Sequence, residues 1–214
     1  DGTEGKMCGN AIRCVAKYLY DYGKVKDTNI TIDTKSGRKN LQLFVRGGEV
    51  NSARVDMGAP IFEPKKVPVR LEGDRIVGRK VKLGNDEYEI TCLSMGNPHC
   101  VIFVNDVNAV DVAGIGRKIE IDPLFPERVN VEFVHVIDPT HIKMRVWERG
   151  SGETYACGTG ACAAVVAAVL NGYARRGEDV AVKLLGGELI INYSEETVYM
   201  TGDAKEVFKG VVRL

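Results

Sequence analysis

Two stretches of the chain carry the same order of apolar and polar positions. A small-residue and apolar run at 11–22 stops at Gly23, and a second run at 161–171 stops at Gly172. Each reads as a helix ended by glycine, the residue that takes the left-handed turn after the last helical position. β-rich sequence follows each helix: 29–33, 41–45 and a strand ending at 57–59 in the first copy, then 180–185, 188–192 and a strand ending at 200–204 in the second. Turns at Ser36 and Gly37, and at Gly186 and Gly187, fall between the strands of each set. Self-similarity on this scale is the main organisational signal in the chain. Residues 161–169 are apolar on every side, so that helix is expected to be enclosed by strands.

The pattern predicts an α+β fold of two pseudo-symmetric half-domains, each a strongly curved antiparallel or mixed sheet wrapped around a central helix. The prolines within 59–68 interrupt strand pairing and mark the boundary. The expected division is 1–56 plus 203–214 for one half and 57–202 for the other, with 206–214 as a last strand. A long strand-rich stretch from near Val81 precedes Cys157, whereas Cys8 stands near the first residue. The first half is therefore expected to be incomplete, truncated at its N-terminal side.

Composition narrows the class. Lys+Arg and Asp+Glu are both 29, which supplies no charge asymmetry for nucleic acid or an anionic membrane. No apolar run reaches membrane-spanning length. The six cysteines form no CxxC pair and lack zinc-finger spacing, so no metal site is expected. Size and spacing argue against a disulfide scaffold, and reduced thiols imply the cytoplasm, with a plastid left open.

Cysteines also supply the candidate chemistry. Cys8 follows Glu4 by four residues and precedes Gly9; Cys157 follows Glu153 by four and precedes Gly158. A thiol before a Gly-led helix start sits where the dipole and backbone N–H groups favour a thiolate. Two such places in matching halves suggest a pair of thiols facing one substrate. Cys14, Cys92, Cys100 and Cys162 read as small buried hydrophobes. His135 and His141 read as structural or surface residues.

Five segments carry a family resemblance: Met7-Cys8-Gly9-Asn10, Met95-Gly96-Asn97-Pro98-His99-Cys100, Glu127-Arg128-Val129-Asn130, Trp147-Glu148-Arg149-Gly150 and Ala156-Cys157-Gly158-Thr159-Gly160. In this order they resemble the diaminopimelate epimerase family, and the similarity runs along the whole chain. The resemblance implies a cofactor-independent (PLP-free) isomerase that interconverts LL- and meso-diaminopimelate for lysine and peptidoglycan precursors. It implies Cys8 and Cys157 as the acid–base pair and His99 and Glu148 as neighbours that adjust their protonation. Substrate contacts would fall to Gly9, Asn10, Asn97, Asn130, Glu148, Arg149, Gly158 and Thr159. It further implies a homodimer, with the region near Phe208 as a contact, and no nucleic acid or membrane partner. Proline racemase and hydroxyproline epimerase share the two-cysteine logic but carry histidine where this chain has Asn10. A thiol oxidoreductase and a non-catalytic amino-acid-binding module are the readings from other classes.

Overall fold

The computed structural model describes residues 8–84 and 86–213 of the chain. Glu4 and Met7 lie outside the described residues. The chain divides into two compact units, Asp1–Val55 with Thr201–Leu214, and Asp56–Met200.

The first unit contains α1 (Gly9–Asp21), β1 (Asn29–Thr34), β2 (Gly37–Arg46) and β3 (Glu49–Gly58) as far as Val55. The strands pair in sequence order and antiparallel, Asn29 opposite Gln42 and Leu41 opposite Val55. Alternation places Leu41, Leu43, Ala53 and Val55 inside, as a half-buried sheet requires. α1 sets Ile12, Arg13 and Ala16 on its buried face. Its other face is open to solvent: Tyr18 is 52% exposed, and Cys14 is exposed as well. Cys14 is thus not a buried hydrophobe, and α1, unlike the second central helix, is covered on one side only. The described strands of this unit form a single short antiparallel run, which can bury one stripe of a helix and no more.

The tail after Asp203 forms no strand, against the expectation for 206–214. Its apolar residues come as the doublets Val207-Phe208 and Val211-Val212 around Lys209-Gly210. Doublets put apolar groups on both faces, so the segment lacks the period-two pattern that seats a strand on a core. Phe208 is 83% exposed.

The second unit holds β4 (Ile76–Leu83), β5 (Asp86–Ser94), β6 (Pro98–Phe103), α2 (Val112–Glu120), β7 (Asn130–Asp138), β8 (His141–Glu148), β9 (Gly152–Thr154), α3 (Gly158–Leu170), β10 (Asp179–Leu184), β11 (Gly187–Tyr193) and the start of β12 (Val198–Asp203), whose end from Thr201 on belongs to the first unit. The sheet is mixed, in the order β12-β11-β10-β8-β7-β6-β5-β4, with β9 on β8. β6 runs parallel to β7, and β8 to β10. α3 packs against β5, β6, β7, β8, β10 and β11, and its residues from Gly160 to Ala168 are all buried. The helix is enclosed by strands, as its apolar circumference requires. A second core around Ile76, Ile90, Ile119 and Phe133 lies under α2, so β5, β6 and β7 are covered on both faces and read as near-continuous apolar runs.

The two matched helices end alike. After α1, the Gly23 amide donates to the Tyr20 carbonyl and the Lys24 amide to Leu19; after α3, Gly172 donates to Val169 and Tyr173 to Ala168. This is the Schellman arrangement, and Gly23 and Gly172 supply its left-handed residue at φ 65° and 78°. Among the described residues no helix is long and apolar enough to cross a membrane.

Candidate active site at the start of the enclosed helix

Cys157 is the N-cap of α3, and its sulfur does what a serine oxygen commonly does there. Sγ accepts a hydrogen bond from the Gly160 amide at 3.3 Å, and the Thr159 hydroxyl lies 3.5 Å away. The thiol is 7% exposed. Burial pushes its pKa up to about 12; Glu148 and Glu132 push in the same direction, against the pull of Thr159 and the Gly160 amide. The resting sulfur is therefore a thiol, although it stands at the positive end of a helix.

Behind the thiol lies a buried polar cluster. His99, on β6, is fully buried; its Nδ1 is 2.7 Å from Glu132 Oε1 and its Nε2 is 3.0 Å from Asn97 Oδ1. Asn97 Nδ2 donates to Thr159 Oγ1 at 3.3 Å. Glu132 comes from the neighbouring strand β7 and has no exposed surface. Burial raises its carboxyl above the ordinary range while His99 draws it back. Its Oε2 has no hydrogen-bond partner among the described residues. A Cβ at Gly160 would meet Glu132 Oε1 at 2.8 Å and Cys157 Sγ at 3.2 Å, so only glycine lets the helix start, the thiol and this carboxylate share the space.

The strand-end motifs are held by hydrogen bonds that leave specific groups for a ligand. Asn130 is 4% exposed; its Nδ2 donates to the Pro98 carbonyl and its Oδ1 accepts from the Arg149 amide. Asn130 thus ties the starts of β6 and β7 to the turn after β8. Glu148 accepts from the Thr154 hydroxyl at 2.6 Å, and Arg149 reaches the Glu127 carbonyl at 3.1 Å. Among the described residues no Glu148–Arg149 ion pair forms, and the bond to the Glu127 carbonyl engages one of the five guanidinium donors. The turn itself is anchored by Glu120, buried at the end of α2, which accepts from Trp147 Nε1 at 2.7 Å and from the Gly150 amide at 2.9 Å. Glu153, four residues before Cys157, forms a two-toothed ion pair with Arg145 at 2.7 and 3.1 Å.

In the first unit, Cys8 stands at the N-cap of α1 with φ −124° and ψ 117°, close to the φ −130° and ψ 110° of Cys157, but its side chain makes no capping hydrogen bond. Cys8 is exposed. Arg13, one turn into α1, bonds the Gly9 carbonyl at 3.0 Å, Asn10 Oδ1 at 3.2 Å and the Asp203 carbonyl at 3.3 Å. It pins the helix start to the end of β12 and fixes the Asn10 amide.

The structure thus gathers Asn97, His99, Cys157, Gly158 and Thr159 at one helix start, with Asn130, Glu148 and Arg149 on the strand ends beside it. Cys8, Gly9 and Asn10 form the corresponding start in the other unit, and Phe208 lies in the tail away from regular structure. Glu132, Glu120 and Arg13 were not singled out from sequence. Glu132 had a legible signal: it is the one charged residue in the run from Val129 to Val134, and a charge inside a buried strand needs a partner. Among the described residues no three metal-binding side chains converge.

The model of the diaminopimelate epimerase family matches residues 1–63 and 91–207. The diaminopimelate epimerase of Desulfitobacterium hafniense is 52% identical over 213 residues, covering 99% of this chain and 75% of its own length. That of Pelotomaculum thermopropionicum is 54% identical over 211 residues, with 98% and 75% covered. Among solved structures, a probable proline racemase from Agrobacterium radiobacter superposes with TM-score 0.69 at 16% identity, covering 92% of this chain and 65% of that one. A Bacillus anthracis protein of the phenazine biosynthesis PhzF family superposes with TM-score 0.63 at 15% identity, covering 99% and 78%. These two establish the α+β fold, and the sequence relatives establish more. The chain belongs to the diaminopimelate epimerase family and is an isomerase of the amino-acid epimerase kind.

Proposed function

We propose that the enzyme interconverts LL- and meso-diaminopimelate by two-base proton transfer between Cys8 and Cys157. The observation that carries this reading is the matched placement of the two cysteines: each is the N-cap residue of a matched helix with nearly the same backbone angles, although only the Cys157 sulfur accepts a hydrogen bond from its helix start. One sulfur, as thiolate, takes the α-proton, and the C–H electron pair passes into the carbon–carboxylate system. The other sulfur, as thiol, returns a proton to the opposite face of the same carbon. The first thiolate ends as a thiol and the second thiol as a thiolate, so protons and charge balance and the reverse direction uses the same pair with roles exchanged.

The developing negative charge on the substrate carboxylate needs donors that are already in place. The amides of Gly158 and Thr159 at the start of α3, and of Gly9 and Asn10 at the start of α1, are helix-start donors outside the helical ladder. Glu148 beside Cys157 favours the thiol form, which suits the proton donor. The spare donors of Arg149 suit a second carboxylate, and Asn130 holds that arginine's backbone in place. A site built to bind a distal charged group discriminates against amino acids that lack it.

The experiment is solvent exchange under reductant. LL-diaminopimelate and L-proline are incubated in D₂O with the protein extended to the length of its relatives, and α-deuterium is followed by NMR. Deuterium in diaminopimelate alone is expected; deuterium in proline alone would contradict the substrate assignment. The same reading extends to a homodimer, which the exposed Val207 and Phe208 support; light scattering of wild type and Phe208→Asp tests it, the variant being expected to run as a monomer.

A further inference from the structure

We propose that Glu132 is a positioning residue that sets the protonation of Cys157 through the buried chain Glu132–His99–Asn97–Thr159–Cys157. This rests on the role of Cys157 proposed above. The chain is continuous: 2.7 Å from Glu132 Oε1 to His99 Nδ1, 3.0 Å from Nε2 to Asn97 Oδ1, 3.3 Å from Asn97 Nδ2 to Thr159 Oγ1, and 3.5 Å from Thr159 Oγ1 to Sγ.

Its polarity follows from the donor inventory. Asn97 presents its carbonyl oxygen to Nε2, which must then carry a proton, and its amide donates to Thr159. The Thr159 oxygen, already accepting, has its own hydrogen left for the sulfur. The three bonds from Nε2 onward therefore donate toward Cys157. Nδ1 faces a carboxylate oxygen, so a second proton is shared between Glu132 and His99. A buried Glu–His pair holding both protons is neutral overall, whereas the same pair with one proton is a net anion with both side chains fully buried. With both protons present the positive end of the pair points along the chain to the sulfur. Glu132 is then the counter-charge that keeps His99 protonated, and Gly160 is the gap that lets its carboxylate stand there.

The ionisable groups around the chain are few. Glu148 on β8 and Glu132 on β7 face the thiol. Cys100, on β6, is held well above the ordinary thiol value by its hydrogen bond to the cross-strand neighbour Cys92 and by burial, with Glu132 adding to the effect, which leaves it uncharged at neutral pH.

The sign of one substitution separates this role from a simpler one. An anion beside a thiol disfavours the thiolate, so if Glu132 acted only by its charge, Glu132→Gln would make Cys157 easier to ionise. If Glu132 acts by holding His99 protonated, the same change removes the cation together with the anion, and Cys157 becomes harder to ionise. Alkylation of Cys157 by iodoacetamide, resolved by peptide mass spectrometry across pH, reads the sign. The expected result is a roughly tenfold loss of the alkylation rate at a fixed pH between 8 and 9, the equivalent of about one pH unit upward. Thr159→Val should shift it the same way, Thr159→Ser should restore it, and Glu132→Gln added to Thr159→Val should change nothing further.

Histidine ¹⁵N NMR of the resting wild type gives an answer that needs no variant to fold. Both His99 ring nitrogens should be protonated at neutral pH. A neutral His99 there, or a Cys157 alkylation rate that rises or stays in Glu132→Gln, would overturn the proposal. Deuterium exchange into diaminopimelate by wild type is untouched by either outcome, so failure here is distinct from failure of the assigned reaction.

Discussion

Cys157 is a thiol because burial and two carboxylates outweigh the two hydrogen bonds that its sulfur receives at the helix start. This balance makes single-residue outcomes predictable in sign. Glu148→Gln removes a carboxylate that raises the thiol, so the pH midpoint of Cys157 alkylation should fall, on the order of one unit. That direction is opposite to the one expected for Glu132→Gln, although both changes delete a negative charge near one sulfur. Gly160→Ala places a methyl 2.8 Å from Glu132 Oε1 and 3.2 Å from the sulfur. The carboxylate must shift and the sulfur must give by a few tenths of an ångström; since a displacement near 1 Å in a catalytic group costs about 10²-fold in rate, a loss of about tenfold is expected here. We expect kcat for epimerisation to fall by that order while the melting temperature changes little, since the clash sits at a helix end. The thiols and their glycines are legible in sequence because a cysteine at a helix start implies its own chemistry. Glu132 is less so, because the residue it pairs with lies on another strand.

Elements carry the site through their ends. β6 and β7 deliver His99 and Glu132 side by side because they run parallel, with His99 opposite Asn130 in register. The turn after β8 is fixed from behind by α2. A Cβ at Gly116 would lie 2.4 Å from the Trp147 Cβ, so Gly116→Ala forces Trp147 and the Glu148–Arg149 turn outward. Overpacking of this kind costs about 1–3 kcal/mol; denaturant unfolding should show that loss, together with a lowered kcat/KM. α3 and the strands around it are legible because an all-apolar helix has no alternative to enclosure. α1 is not legible to the same degree: Val15 and Tyr18 are apolar yet exposed, since what covers a helix is set by strands distant in sequence. The tail fails as a strand for a local reason, its apolar doublets, which the alternation test identifies.

At the scale of the whole molecule, the raised thiols tie stability to pH. Cys157 holds its proton up to about 12 in the folded state, whereas an unfolded cysteine loses it near 8.5. Between those values the folded chain binds one more proton than the unfolded chain, so stability falls as pH rises, by about 1.4 kcal/mol per unit from this one group. Unfolding free energy followed from pH 8 to 11 should decline with that added slope, and Cys157→Ser should remove it.

The central claim is that two thiols share one proton transfer, and it is tested most directly by solvent deuterium incorporation at the α-carbon of diaminopimelate. Wild type, Cys8→Ser and Cys157→Ser are compared under reductant in protein of the relatives' full length. The account predicts epimerisation with deuterium uptake in wild type and a loss of about 10²-fold or more in each single variant, because a serine hydroxyl is a far weaker acid than a thiol. Epimerisation at wild-type rate in either variant would contradict it.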